Sequence, residues 1–99
     1  MNNKLDILFD FLNAIENDSR VTTAHISLFV ILWMKWAATD KGHAVTFFKR
    51  ELMPLCRISS RSTYHKIIGQ LHAYGYINYA PSYNHFEGSR VEFFETRKM

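Results

Sequence analysis

Apolar spacing in the first part of the chain predicts two helices. Apolar residues recur three and four positions apart over about 4–16, which is the spacing of one helical face. After a polar turn, Thr22 or Thr23 supplies the cap of a second helix that continues to about Thr39. This second segment is apolar almost all round. We therefore expect it to lie at the centre of the fold, covered on several sides.

The first predicted helix carries apolar residues on two faces. The larger stripe consists of Leu5, Leu8, Phe9, Leu12 and Ile15, and the smaller of Ile7, Phe11 and Ala14. One face can enter the core of a domain this small, so the smaller stripe needs another cover. We predict that a second copy of the chain buries it in a homodimer. The alternative is that both stripes pack inside the monomer.

The next segment predicts a short strand followed by two helices. Residues 44–48 are β-prone, and a short helix then covers about 49–55, with Pro54 near its end because proline cannot donate an intrahelical hydrogen bond. Ile58 and Ser59 form the turn before a helix over about 60–74. The residues expected on the core side of that helix are Tyr64, Ile67, Ile68, Leu71 and Tyr74.

A hairpin is predicted after this helix. Gly75 suits the left-handed position just beyond a helix end. Residues 77–81 and 90–94 then have the composition of two strands, with 82–89 as their loop. The predicted order is helix, helix, strand, helix, helix, strand, strand.

Composition and charge restrict the class of protein. The 99 residues are 47% apolar, enough for one core, and the chain carries a net charge of +3. Residues 1–48 hold four Lys or Arg against five Asp or Glu, whereas residues 49–99 hold eight against four. The basic second half favours a polyanionic partner. We expect a cytoplasmic protein, because the start of the chain lacks signal-peptide features, no apolar run could span a bilayer, and Cys56 is a single cysteine.

The second half resembles the winged helix-turn-helix family. The matching stretches are Ile58-Ser59-Ser60-Arg61-Ser62-Thr63-Tyr64 and Leu71-His72-Ala73-Tyr74-Gly75-Tyr76-Ile77. The element order extends the resemblance over nearly the whole chain. It implies an α+β, mainly α, single domain with four helices, a short strand and a C-terminal β-hairpin wing. Residues 1–39 would form the scaffold and possible dimer helix, 44–75 the strand and helix-turn-helix, and 76–95 the wing. The chain also looks like small winged-helix proteins encoded near bacterial mobile elements.

This resemblance implies binding of duplex DNA, with helix 60–74 in the major groove. Arg61 is the candidate for guanine recognition, because its guanidinium can pair with O6 and N7 together; the alternative is a phosphate contact. The other candidate DNA-contacting residues are Ser62, Thr63, His65, Lys66, Lys49, Arg50, Arg57, Arg90 and, on the wing, Tyr83, Asn84 and His85. Ser62 and Thr63 equally suit helix capping. The expected role is transcriptional regulation, or accessory control of replication or excision of a mobile element.

The sequence contains no pattern typical of an enzyme or of a cofactor site. It has no glycine-rich phosphate loop and no nucleophile motif, and its five histidines have no cysteine pair beside them. We therefore expect no catalysis, metal, cofactor or small-molecule ligand. Two other classes remain open: a protein-interaction module, and a binder of RNA or single-stranded nucleic acid that stacks bases on aromatic side chains. A continuous positive surface around helix 60–74 would favour DNA; an apolar one would favour a protein.

Overall fold

A computed structural model describes residues 3–39, 42–82 and 87–94. They form a mainly helical α+β fold with four helices and a three-stranded antiparallel sheet. The elements are α1 (Asn3–Ile15), α2 (Thr23–Ala37), β1 (Ala44–Phe47), α3 (Lys49–Cys56), α4 (Arg61–Ala73), β2 (Ile77–Ala80) and β3 (Ser89–Phe93). This confirms the predicted order of elements. Each predicted boundary lies close to the observed one because caps and turn residues mark the ends.

β3 is the central strand of the sheet, although it is the last of the three in the chain. The strand order is β1-β3-β2, and both neighbours run antiparallel to β3. Val91 is aligned with Val45 on one side and with Tyr79 on the other. Burial alternates along β3, with Val91 and Phe93 facing the core. One face of the sheet therefore packs on the helices, as alternation in an antiparallel sheet requires.

The core lies between the sheet and α2, as expected for a helix that is apolar all round. Leu28, Leu32 and Trp36 are almost fully buried along α2. Trp36 stacks on Phe93 of the central strand, with ring centroids 4.8 Å apart, and its indole N–H donates to the carbonyl of Gly42 at 2.7 Å. Of the helices in the described ranges, none is long and apolar enough to cross a membrane.

α1 is fastened to the rest of the fold at its start and along one face. The ammonium group of Lys4 donates to the carbonyls of Trp36, Ala37 and Thr39 at the end of α2. The lysine thereby places a positive charge at the negative end of the helix dipole. Further along α1, Phe11 stacks on Phe29 with ring centroids 3.8 Å apart.

The burial of α1 contradicts the predicted dimer stripe. Ile7 and Phe11 are 6% and 3% exposed and belong to the core of the single chain, whereas Ala14 is exposed. The face left outside carries Leu5, Phe9 and Leu12, which are 38%, 51% and 36% exposed. The interface prediction was therefore wrong for Ile7 and Phe11. Phe11 packs against the ring of Phe29 and against the ring of Tyr76. The contact with Tyr76 is edge-on, with ring centroids 5.2 Å apart.

Candidate functional site

A strained residue closes the turn between α3 and α4. Arg57 has φ 60° and ψ 35°, the left-handed conformation that usually requires glycine after a helix. Its amide donates to the carbonyl of Pro54 at 3.2 Å, and the amide of Ile58 donates to that of Met53 at 3.0 Å. These two hydrogen bonds end α3. The side chain of Ile58 is only 7% exposed and belongs to the core, so it anchors the turn. The guanidinium of Arg57 is thereby held at the exposed outside of the turn.

The first turn of α4 is capped by its own hydroxyl groups. The Ser60 Oγ accepts from the amide of Thr63 at 3.3 Å and lies 2.9 Å from the Ser62 Oγ. The cap of α4 is therefore Ser60, whereas capping was expected of Ser62 and Thr63; Ser62 only joins the same network. The amides of Arg61 and Ser62 lie in the first turn, where no intrahelical acceptor exists. They can therefore serve an anion outside the protein.

The remaining surface of α4 divides cleanly into a core side and an outward side. Tyr64, Ile67, Ile68 and Leu71 are buried, as predicted, while Tyr74 just beyond the helix is half-buried. The predicted contact residues on the outward side are all exposed: Arg61, Ser62, Thr63, His65 and Lys66. The large exposed apolar residues of the described chain lie elsewhere, on α1, α2, α3 and after β3. The outward side of α4 is therefore polar.

A groove joins the start of α3, the first half of α4 and the base of the β2–β3 hairpin. Its volume is about 570 Å³. Four of its described lining residues are basic, namely Lys49, Arg50, Arg61 and His65, and none is acidic. Arg50 is steadied over the ring of Phe48, with its guanidinium carbon 4.3 Å from the ring centroid. The groove therefore concentrates positive charge between two helices and a hairpin, and we call it the basic groove.

Small and aromatic residues form the other walls of the basic groove. The described residues that complete its lining are Phe47, Phe48, Tyr64, Tyr79, Pro81, Ser82, Gly88 and Ser89. Gly88 has φ +72°, and a Cβ there would lie 2.8 Å from the carbonyl oxygen of Phe47. Close approach of the hairpin to β1 thus requires glycine at this position. The sequence pattern did not identify Phe48, Tyr64 or Tyr79 as groove residues, because their apolar rings read as core.

Tyr64, one of the residues that line the basic groove, carries a buried polar atom without a hydrogen-bond partner. Its side chain is 1% exposed, and its hydroxyl is the buried side-chain polar atom of the described residues that has no hydrogen-bond partner. An unpaired buried hydroxyl costs about 1–3 kcal/mol. Burial, assisted by the nearby Tyr79, raises the pKa of Tyr64 far above its ordinary value. The phenol consequently keeps its proton at neutral pH and remains a donor.

Other predicted contact residues lie outside the basic groove. Lys66 projects from the outward side of α4, and Arg57 lies in the turn. Arg90 is exposed on β3 and forms a 3.8 Å ion pair with Glu92, which offsets part of its charge. Tyr83, Asn84 and His85 fall outside the residues that the structure describes. The structure therefore gathers Lys49, Arg50, Arg61 and His65 and leaves the rest dispersed.

A buried histidine fixes α4 against α2. The Thr22 amide donates to Nδ1 of His25 at 2.9 Å, so the proton of the neutral ring is on Nε2. Nε2 lies 2.8 Å from Oε1 of Gln70 and donates to it. His25 is 2% exposed. This link holds α4 against α2 from its inner side, and no local pattern in the sequence indicates it, because His25 and Gln70 are 45 residues apart.

Comparisons with protein-family models, with curated proteins and with solved structures gave no match. No group of three or more histidine, cysteine, aspartate or glutamate residues suited to a metal ion occurs within residues 3–39, 42–82 and 87–94. The features that indicate a function are therefore the basic groove and the outward side of α4.

Proposed function

We propose that this chain is a winged helix-turn-helix protein that binds duplex DNA in a sequence-specific manner. α4 would enter the major groove, and the β2–β3 hairpin would serve as the wing beside it. The element order and the β1-β3-β2 sheet support this assignment, because together they leave α4 exposed next to the hairpin. The role would be transcriptional regulation, or accessory control of replication or excision of a mobile element.

The observation that carries the proposal is the charge of the basic groove. The groove is lined by three cations and a histidine from α3 and α4, and none of its described lining residues is a carboxylate. The groove continues onto the polar outward side of α4. Phosphate oxygens are the acceptors that such a surface recognises. A protein-binding module would instead be expected to carry exposed apolar side chains on this side of α4. Those side chains lie on other elements.

The proposal assigns different tasks to Arg61 and Lys66. Arg61 lies in the first turn of α4 and can form the paired contact with guanine, while Lys66, one turn further, neutralises a phosphate. Replacing Arg61 with alanine should cost about 1–3 kcal/mol on the preferred duplex and relax selection at one base pair. Replacing Lys66 with alanine should weaken all duplexes alike and lower the salt slope by about one.

Fluorescence anisotropy with labelled duplex across a salt series tests the proposal. The preferred duplex is first selected from a random pool, and a single-stranded oligonucleotide of the same sequence provides the comparison. Arg20→Gln is the matched control. Arg20 stacks over the ring of Tyr74, and helical geometry places Tyr74 on the side of α4 opposite to His65. This variant should bind like the parent protein. Absence of duplex binding at low salt, or binding that ignores salt, contradicts the proposal; preference for the single strand supports the alternative class.

A further inference from the structure

The unpaired hydroxyl of Tyr64 stands out against the other buried polar groups of the fold. Both ring nitrogens of His25 are hydrogen-bonded, and the indole of Trp36 donates to a carbonyl. Tyr64 alone among the described side chains keeps a buried polar atom without a partner. Phenylalanine would fill the same space without that cost. An exception of this kind among the described side chains requires an explanation, and an acceptor supplied by a bound ligand is one.

The position of Tyr64 indicates the chemistry of that acceptor. The residue lines the basic groove together with Lys49, Arg50 and Arg61, which offer donors and positive charge only. A phosphate group has the complementary properties, since it carries negative charge and several acceptor oxygens. A neutral phenol adds one more donor without adding charge.

The size and the walls of the groove suit more than a bare anion. About 570 Å³ lies within the range of sites that hold small-molecule ligands. Phe48 and Tyr79 supply aromatic surface, and Ser82 and Ser89 supply small side chains on the hairpin side. A phosphate with its attached sugar therefore fits both the volume and the composition of the lining.

We propose that the basic groove holds one nucleotide phosphate with its sugar, and that the Tyr64 hydroxyl donates to this phosphate beside Lys49 and Arg50. If the phosphate belongs to the backbone of duplex DNA, this inference rests on the proposed function. The phosphate of a free nucleotide has the same chemistry. The hydroxyl is covered in the free chain, so binding includes a side-chain rearrangement at the edge of the groove. Changes of this size commonly accompany association.

The variant Tyr64→Phe separates this role from a structural one. Removing the unpaired hydroxyl should raise the melting temperature by a few degrees and weaken duplex affinity about tenfold, since a hydrogen bond to a charged group is lost. Tyr74→Phe removes the same atom on another side of α4 and should leave duplex affinity unchanged. A merely structural tyrosine would not combine a gain in stability with a loss in affinity.

Three probes distinguish the source of the phosphate: labelled mixed-sequence duplex, adenosine monophosphate and inorganic phosphate. If the site serves DNA alone, only the duplex loses affinity in Tyr64→Phe. If it serves a free nucleotide, adenosine monophosphate binds the parent protein and loses affinity in the variant, even where the duplex does not bind and the proposed function fails. Unchanged affinity of Tyr64→Phe for every probe that the parent binds overturns this inference and leaves duplex binding intact. A parent that binds none of the probes, or a variant that melts below the parent, overturns it too.

Discussion

At the scale of single residues, Arg57 combines backbone strain with an exposed positive charge. It is the described non-glycine residue with positive φ, in a turn position where glycine is the usual solution. A side chain in this conformation costs about 1 kcal/mol or more. The arginine is therefore placed in the turn at the expense of stability, which points to a task for its guanidinium.

Arg57→Gly should make this trade visible. Relief of the strain is expected to raise the free energy of unfolding by about 1 kcal/mol, measured by urea denaturation. If the guanidinium contacts a phosphate, the same variant should bind duplex more weakly, with a salt slope lower by about one. Arg57→Asn is the companion variant, because asparagine tolerates the left-handed region and also lacks the charge. A glycine variant less stable than the parent would contradict the strain argument.

At the scale of elements, α1 has an apolar face that the monomer does not cover. Leu5, Phe9 and Leu12 lie four and three residues apart and form one exposed stripe. Homodimerisation, which the sequence suggested for the opposite stripe, is accordingly proposed for this one. Two chains joined through α1 would also present two copies of α4 to a palindromic site.

Phe9→Glu and Phe11→Glu form a matched pair that tests this assignment. Phe9 is 51% exposed, so Phe9→Glu should remain folded and sediment as a monomer. The parent is expected to sediment as a dimer at micromolar concentration. Phe11 is 3% exposed and stacks on Phe29, so Phe11→Glu should unfold the chain by burying an unpaired charge. Sedimentation velocity and circular dichroism report the two outcomes. A monomeric parent at high micromolar concentration would refute the dimer.

The comparison of α1 with α4 explains which features the sequence could predict. The bounds of α4 follow from Ser60 and Gly75, and its core side from a single apolar stripe; local chemistry sufficed for both. α1 has two stripes, and the one with more apolar members was expected to be buried. Burial was decided instead by the fit of Phe11 between Phe29 and Tyr76, which are distant in the chain. Periodicity carries no information about such long-range fit.

The basic groove illustrates the same limit. Its cations were identified as candidates through the resemblance to the winged helix-turn-helix family. Their meeting in one concavity depends on the hairpin reaching β1, and that pairing is not encoded by any local pattern. Tyr64 was predicted as core and is buried, yet the missing partner of its hydroxyl emerges only in three dimensions.

At the scale of the whole molecule, one hydrogen bond ties the α1–α2 connection to the entry of the sheet. The Tyr76 hydroxyl donates to Asp18, 58 residues away, and Arg20 pairs with the same carboxylate at 2.8 Å. The Arg20 hydrogen bond, aided by Tyr76, holds the pKa of Asp18 well below its usual range. Burial, with the bond to Asp18, raises the pKa of Tyr76 to about 12.

This link predicts a loss of stability in alkali. Because the folded pKa of Tyr76 exceeds the unfolded value of about 10, its contribution is complete below pH 10 and is lost as pH rises through about 12. The free energy of unfolding, measured by urea denaturation at several pH values, should fall over this window. Tyr76→Phe should show a shallower fall, since the titrating hydroxyl is gone. An identical slope in both proteins would contradict the link.

The central place of β3 has a consequence for the order in which the chain acquires its shape during synthesis. Among the described strands, β1 and β2 each pair with β3, which leaves the ribosome after every helix described here. Until residue 93 is available, both earlier strands expose unpaired backbone, and the core lacks Val91 and Phe93. A nascent chain can therefore gather its helices early but cannot close its sheet. The chain can therefore complete its native fold only after β3, the last strand, has been synthesised.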